Sequence, residues 1–134
     1  MTDGMLSDAS QDVRIGLIGF GLAGSVFHAP LISTTPGMRL AAIVTGDHDR
    51  MQLARRTYPT ANIHATPEEL WDGGGVDCVV IATPNTSHAP LALAAISHGV
   101  AVVIDKPLAI SSEQAHQVID AAERQGTLLT VFQN

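Results

Sequence analysis

A glycine-rich segment near the start of the chain has the residue types and spacing to bind phosphate. It fits the pattern G-x-G-x-x-G and reads Gly19, Phe20, Gly21, Leu22, Ala23 and Gly24. An apolar run precedes it and a helical pattern follows, which is the context in which such a turn binds a dinucleotide. Gly19 permits a tight exit from the strand, Gly21 lets a pyrophosphate approach the backbone, and Gly24 lets the helix pack on the sheet. Free N–H groups and the helix dipole would hold the phosphate charge. A glycine turn that binds nothing is the alternative.

The residues after the second apolar run bear on which dinucleotide is bound. Enzymes that prefer NAD usually carry Asp or Glu about 20 residues past the glycines. Thr45 and Gly46 stand there instead, and a neutral Thr45 does not repel the 2′-phosphate of NADP. Arg50 or His48 could supply positive charge to that phosphate, or both could be an ordinary solvated helix start. Asp47 keeps NAD open, because its carboxylate could turn back onto a ribose. The residues favour NADP by a small margin, with NAD as the alternative.

The segment that follows the fourth apolar run offers hydrogen-bonding groups. It contains Thr83, Pro84 and Asn85. Strand ends at the carboxyl edge of a doubly wound sheet line the cofactor crevice. Thr83 and Asn85 suit ribose and amide groups, and Pro84 makes the loop rigid. Asn85 and Ser87 could instead cap the next helix, and one loop can do both.

A lysine follows the fifth apolar run, between Asp105 and Pro107. A surface Lys–Asp pair is more often an ion pair of little consequence. At this edge of the sheet, however, the Lys106 ammonium would face the nicotinamide end of the crevice. Asp105, Lys106 and Pro107 are therefore candidate site residues.

Short apolar runs that alternate with helical patterns must position these groups. Near-continuous apolar runs indicate strands covered on both faces, as in a parallel sheet. Strands are predicted over residues 13–18, 40–44, 62–65 (a weaker edge strand), 76–82, 100–104 and 128–132. Helices are predicted over 24–33, 49–56, 66–71, 87–98 and from 111 to a closing glycine at 126. Thr66 and Ser111 are the predicted N-caps of two of them, and Glu69 and Gln114 are the corresponding capping-box partners. This alternation predicts an α/β doubly wound sheet in one domain over 13–134, after a flexible tail over 1–12.

Composition excludes several classes of function. The chain has 134 residues and a formal net charge of −6, which argues against nucleic-acid and anionic-membrane partners. Its single cysteine, Cys78, excludes an internal disulfide and is expected to be a buried, inert thiol. His28, His88 and His98 lack the spacing of a metal cluster, so no metal is predicted. A structural role is expected for His28, with an approach to the substrate side of the cleft as the alternative, and a packing role is expected for Trp71. No signal peptide or membrane-length apolar stretch is present, which predicts a cytoplasmic protein.

Several segments together resemble the N-terminal domain of the Gfo/Idh/MocA family, named for glucose–fructose oxidoreductase and inositol dehydrogenase. The resemblance covers residues 13–134, and its segments are GFGLAG (19–24), FHAPLI (27–32), TPNTSH (83–88), HAPLA (88–92) and DKP (105–107), the last with Asp where the family has Glu. It implies the Rossmann strand order 3-2-1-4-5-6 and a nicotinamide cofactor at the carboxyl edge. It also implies reversible hydride transfer with a sugar or polyol, with Lys106 as a polarising or proton-relaying group. His88, within TPNTSH, and Asn134, after the sixth strand, are implied to border the site.

The resemblance also implies that part of the enzyme is missing. Family members continue into an α+β domain that binds substrate, completes the catalytic group and mediates oligomers. We therefore expect the substrate domain to be absent, the chain alone to show negligible turnover, and the parent protein to be a homo-oligomer. A non-catalytic NAD(P)-binding sensor is the alternative, although a sensor has no need of Lys106. A reductase of amino-acid biosynthesis would share the glycine turn but not the TPNTSH and DKP segments.

Overall fold

The computed structural model describes residues 11–133 and contains a six-stranded parallel sheet. Its strand order is β3-β2-β1-β4-β5-β6, as predicted. The strands are β1 (Val13–Ile18), β2 (Met38–Val44), β3 (Asn62–His64), β4 (Cys78–Ile81), β5 (Ala101–Asp105) and β6 (Leu129–Phe132). The helices are α1 (Ala29–Thr34), α2 (His48–Thr57), α3 (Pro67–Gly73), α4 (His88–Ser97) and α5 (Ser112–Gln125). Apart from the first helix, the predicted ends differ by at most two residues, as is usual where helices and strands fray.

The core lies on both faces of the sheet, which is why its strands read as unbroken apolar runs. Leu17 and Ile18 are neighbours in β1, yet they belong to two different buried clusters. The Ile18 cluster includes residues of α4 and α5, and the Leu17 cluster includes residues of α1 and α2. Since successive strand side chains point to opposite faces, the two clusters are the two layers of a doubly wound fold. Trp71 packs against the Ile18 cluster, as expected, and its ring stacks on that of His98.

The first helix differs from its prediction. The sequence predicts one helix over 24–33, but residues Ala23–His28 form a π-helical segment that continues into α1. Pro30 gives the physical reason. A proline inside a helix has no N–H and its ring crowds the carbonyl four residues earlier, and a wider turn before it relieves that conflict. The Ala29 N–H accordingly bonds to the Gly24 carbonyl, five residues back.

Two predicted N-caps are confirmed, but both capping boxes differ from the prediction: the Glu69 carboxylate accepts from the Ala65 N–H, one residue before the Thr66 N-cap. Thr66 accepts a hydrogen bond from the Glu69 N–H, and Ser111 accepts one from the Gln114 N–H. The reciprocal bond from the Gln114 side chain is not made: its Oε1 is buried and has no hydrogen-bond partner among residues 11–133. Gly126 ends α5 with a left-handed φ of 65°.

A salt bridge anchors the start of β1 to the turn before β4. Arg14 donates from Nη2 to Asp77 Oδ1 at 2.9 Å and from Nε to Oδ2 at 3.1 Å. These bonds lower the pKa of Asp77 to about 2. Next to it, the Cys78 thiol is only partly buried, not fully buried as expected, and burial raises its pKa. No helix within residues 11–133 is long and apolar enough to cross a membrane.

Candidate functional site

A crevice of about 810 Å³ opens at the carboxyl ends of β1, β2 and β4. From β1 the chain adds β2 and β3 on one side of the sheet and then β4, β5 and β6 on the other. The crevice lies where this direction reverses, between β1 and β4, which is the usual ligand site of a doubly wound sheet. Eight of the predicted site residues line it: Gly19, Phe20, Gly21, Thr45, Gly46, Arg50, Thr83 and Pro84. The sheet therefore brings together three segments that are far apart in the sequence.

The glycine turn has the geometry that its three glycines predict. Gly19 has a φ of 104°, and a Cβ there would lie 2.4 Å from the Ala82 carbonyl oxygen. A Cβ on Gly24 would lie 2.1 Å from the Gly19 carbonyl oxygen, so only glycine allows the helix to start this close to the strand. A Cβ on Gly21 would meet nothing nearer than Arg50 Nη1, at 3.9 Å. The space at Gly21 is therefore open, and a guanidinium borders it.

The segment after β2 forms the second wall of the crevice. Thr45 is buried, and its N–H donates to the His64 carbonyl. The Asp47 carboxylate is the N-cap of α2 and accepts a hydrogen bond from the Arg50 N–H at 2.9 Å. Of the described residues that line the crevice, only Arg50 carries a charge. An anionic ligand would therefore meet one cation and no lining carboxylate.

The loop after β4 forms the third wall and is held by its own hydrogen bonds. Ser87 Oγ lies 2.6 Å from Thr83 Oγ1 and 2.7 Å from the Pro84 carbonyl oxygen. Residues Asn85–Ser87 form a 3₁₀ turn ahead of α4. The side chains of Asn85 and Ser87 do not make the capping hydrogen bond that the sequence allowed. The helix predicted over 87–98 is α4, which begins one residue later, directly after the 3₁₀ turn. The Thr83 hydroxyl is fixed at the crevice wall.

Lys106 lies between two anchored residues at the end of β5. On one side, Asp105 Oδ1 lies 2.6 Å from Nε2 of the buried His28. On the other, the Pro107 carbonyl lies 2.7 Å from Nδ1 of the buried His88, and the Lys106–Pro107 peptide bond is cis. Lys106 itself is exposed. The backbone that carries its ammonium group is therefore fixed from both sides.

The remaining predicted site residues do not line the crevice. Leu22 is 73% exposed, and Gly24 is buried beneath the turn. The others outside the lining are Ala23, Asn85, His88, Asp105, Lys106 and Pro107; Asn134 lies outside the described residues. Phe20 borders the crevice, but its ring is buried edge-on against Tyr58 and belongs to the core. The binding roles of the residues outside the lining stay predictions. Asp105, Lys106 and Pro107 are predicted to act at the nicotinamide end of the cleft, away from the glycine turn.

Sequence reasoning missed how His28 and His88 act on the Lys106 segment. His28 was expected to be structural, and it is buried, with Asp105 beside one ring nitrogen and the Phe132 ring 5.3 Å away. The only signal was that each histidine starts a His-Ala-Pro triplet at a helix start.

Among residues 11–133, no three His, Cys, Asp or Glu side chains come together as a metal site would require.

The comparisons with known proteins agree with this geometry. The model of the GFO_IDH_MocA oxidoreductase family, described as an NAD-binding Rossmann fold, matches residues 13–133. The chain is 41% identical to the uncharacterized oxidoreductase YdgJ of Escherichia coli, over 93% of this chain and 35% of that protein. It is 31% identical to scyllo-inositol 2-dehydrogenase (NADP(+)) IolW of Bacillus subtilis, over 91% of this chain and 33% of that protein.

A solved structure shows the same fold. It is an oxidoreductase from Agrobacterium radiobacter in complex with NAD+, L-tartaric acid and magnesium, with a TM-score of 0.84 and 28% identity. The match covers 90% of this chain and 35% of that one. The chain thus spans about a third of the length of the relatives it matches.

Proposed function

The chain belongs to the GFO_IDH_MocA family of oxidoreductases, and we propose that it is the cofactor domain of a dehydrogenase that acts on a sugar or polyol. The observation that carries the proposal is the open space at Gly21, bordered by the Arg50 guanidinium at the start of a helix. A pyrophosphate needs such a gap, because it approaches the backbone where a side chain would block it.

The described residues fit a nicotinamide dinucleotide along the crevice. The turn from Gly19 to Gly24 leads into a helix whose first N–H groups have no partner within the helix, so they can donate to the pyrophosphate. Thr45 and Gly46 border the place of the adenosine ribose. Thr83 and Pro84 border the path toward the nicotinamide, with the Thr83 hydroxyl already oriented by Ser87.

Lys106 is the residue that we assign to the reaction. A bound nicotinamide would supply the hydride chemistry at the substrate carbon that carries the hydroxyl or carbonyl group. The substrate oxygen must lose or gain a proton in the same reaction, and a positioned lysine can hold or accept that proton. Lys106 suits this role because the residue is exposed and because its neighbours in the chain, Asp105 and Pro107, each contact a buried histidine.

The chain spans only about a third of the length of its relatives, so its own residues do not define a substrate pocket. We therefore propose the substrate class from the names of the relatives. IolW is named for scyllo-inositol, a polyol, and an inositol 2-dehydrogenase of Saccharopolyspora erythraea is 32% identical over 90% of this chain. A polyol or sugar carries the secondary alcohol that this chemistry requires.

We further propose NADP as the preferred cofactor. No carboxylate lines the crevice among the described residues, and Asp47, which could favour NAD, has one oxygen engaged as the cap of α2. Arg50 supplies the positive charge for the 2′-phosphate. IolW is also named as an NADP(+) enzyme, which supports this choice.

Titration of Arg50→Gln with NADPH and NADH tests the proposal. A hydrogen bond to a charged group is worth about 1.5–3 kcal/mol, so NADPH should bind about ten- to a hundredfold more weakly, and NADH, which lacks the 2′-phosphate, should lose clearly less affinity than NADPH. Arg56→Gln, an exposed arginine on the same helix, is the matched control and should change neither. Equal losses for both nucleotides would place Arg50 at the pyrophosphate and overturn the NADP preference. Binding of neither nucleotide by the unaltered chain would overturn the cofactor-domain proposal itself.

A further inference from the structure

His28 lies where the first helix meets the carboxyl ends of β5 and β6. Its side chain is buried, with an exposed fraction of 9%, and its Nε2 lies 2.6 Å from Asp105 Oδ1. The imidazole also meets the Phe132 ring edge-on, at a centroid distance of 5.3 Å. Asp105 and Phe132 are partners in the register of β5 and β6. One side chain of the helix therefore contacts the last residues of two neighbouring strands.

The contact with Asp105 needs a single ring N–H and does not depend on the charge of the ring. A carboxylate oxygen accepts hydrogen bonds, so Nε2 has to donate. The neutral ring with its proton on Nε2 has that donor, and so does the imidazolium. The bond joins residues 77 positions apart in the sequence, so it ties the first helix to the far end of the chain.

The helical segment that carries His28 begins in the glycine turn. The N–H and the hydroxyl of Ser25 both donate to the Gly21 carbonyl, at 2.8 and 2.7 Å. The Ala29 N–H donates to the Gly24 carbonyl. The stretch from Gly21 to Ala29 is therefore one hydrogen-bonded unit, with the open space at Gly21 near one end and His28 near the other.

We propose that His28 is a positioning residue for Lys106. Asp105 immediately precedes the lysine, so the bond from His28 fixes the backbone that carries Lys106 relative to the glycine turn. A dinucleotide held at the turn then meets the lysine at a set distance, and a misplacement of about 1 Å can cost about a hundredfold in rate. The purpose of this arrangement rests on the proposed function, but the bond itself requires no bound nucleotide.

The amide of Lys106 provides a direct test, because Lys106 is the single lysine of the chain. A chain labelled with ¹⁵N-lysine gives one backbone amide signal, and its order parameter is measured without nucleotide. We expect about 0.85 in the unaltered chain, as in rigid backbone, and about 0.6 in His28→Leu, as in flexible backbone. His28→Gln keeps an N–H donor and should restore about 0.85. A purely structural His28 would affect stability and leave this signal unchanged.

Two further variants complete the test. His116→Leu, at an exposed histidine of α5, is the control and should leave the order parameter unchanged. If His28→Leu does not fold, Asp105→Ala removes the acceptor of the same bond and should give the same fall.

Three results would overturn the proposal. They are a flexible Lys106 amide in the unaltered chain, a rigid one in a folded His28→Leu or Asp105→Ala variant, and a flexible one in His28→Gln. Because no nucleotide is present, failure to bind NADH or NADPH would contradict the proposed function and leave this result standing.

Discussion

Adding the same methyl group at two positions of the glycine turn should separate folding from binding. Gly21→Ala and Gly24→Ala lie three residues apart in the sequence. At Gly24 the new Cβ would lie 2.1 Å from the Gly19 carbonyl oxygen and 3.0 Å from its carbon. Both atoms belong to the backbone, so the helix start has to move away from β1.

The magnitude at Gly24 follows from two opposing effects. Overpacking that shifts backbone costs about 3 kcal/mol, at the upper end of the usual range. Alanine returns about 1 kcal/mol through its helix propensity. The net loss is about 2 kcal/mol, or a fall in Tm of roughly 8 °C for a domain of this size.

The same change at Gly21 should leave the fold intact. Its φ lies outside the left-handed region and the nearest atom is 3.9 Å away, so alanine adds no strain and restricts the unfolded chain. Stability should hold or rise by about 0.4–1 kcal/mol. The new methyl occupies the space where the pyrophosphate approaches, so dinucleotide affinity should fall at least about tenfold, which is 1.4 kcal/mol.

Two assays on each variant distinguish the outcomes. Denaturant unfolding is followed by the fluorescence of Trp71, the single tryptophan, and nucleotide affinity is measured by calorimetric titration. The reasoning predicts that Gly24→Ala loses stability and that Gly21→Ala loses affinity at unchanged stability. It is refuted if Gly24→Ala is as stable as the unaltered chain, or if Gly21→Ala binds nucleotide normally.

Three further predictions concern stability. Leu70→Ala removes a fully buried side chain from the Ile18 cluster and should cost about 2–5 kcal/mol in urea unfolding; a cost under about 1 kcal/mol would contradict the packing. Ser111→Ala removes the cap of α5 and should cost about 1 kcal/mol in the same assay, whereas an unchanged midpoint would argue against the cap. The pKa of Asp77 is held at about 2, below the ordinary value of 3.8, so its bonds to Arg14 stabilise the fold above about pH 4 and lose that effect as pH falls toward 2. Acid unfolding of Asp77→Asn should show a weaker pH dependence in this window, and a curve parallel to the unaltered chain would count against it.

The strand order and the glycine roles could be predicted from the sequence because their signals are local. Apolar runs separated by helical patterns leave few topologies once crossovers are right-handed. The close contact of Gly24 with Gly19 is likewise set within one turn. Thr45, Arg50 and Thr83 lie at the crevice because parallel strands bring their carboxyl ends to one edge of the sheet.

What the sequence could not show are contacts between distant residues and one local conflict. His28 and Asp105 are 77 residues apart, and Arg14 and Asp77 are 63 apart, so their pairing depends on the packed fold. The π-helical segment before Pro30 reflects a conflict between proline and a regular helix, which periodicity does not register.

Calorimetric titration of this chain with NADPH and NADH tests the central claim most directly. The open space at Gly21, the Arg50 guanidinium beside it and the absence of a carboxylate among the described lining residues predict saturable one-to-one binding, tighter for NADPH than for NADH. Tighter binding of NADH would contradict the choice of cofactor alone. Binding of neither nucleotide would contradict the assignment of the crevice as a dinucleotide site.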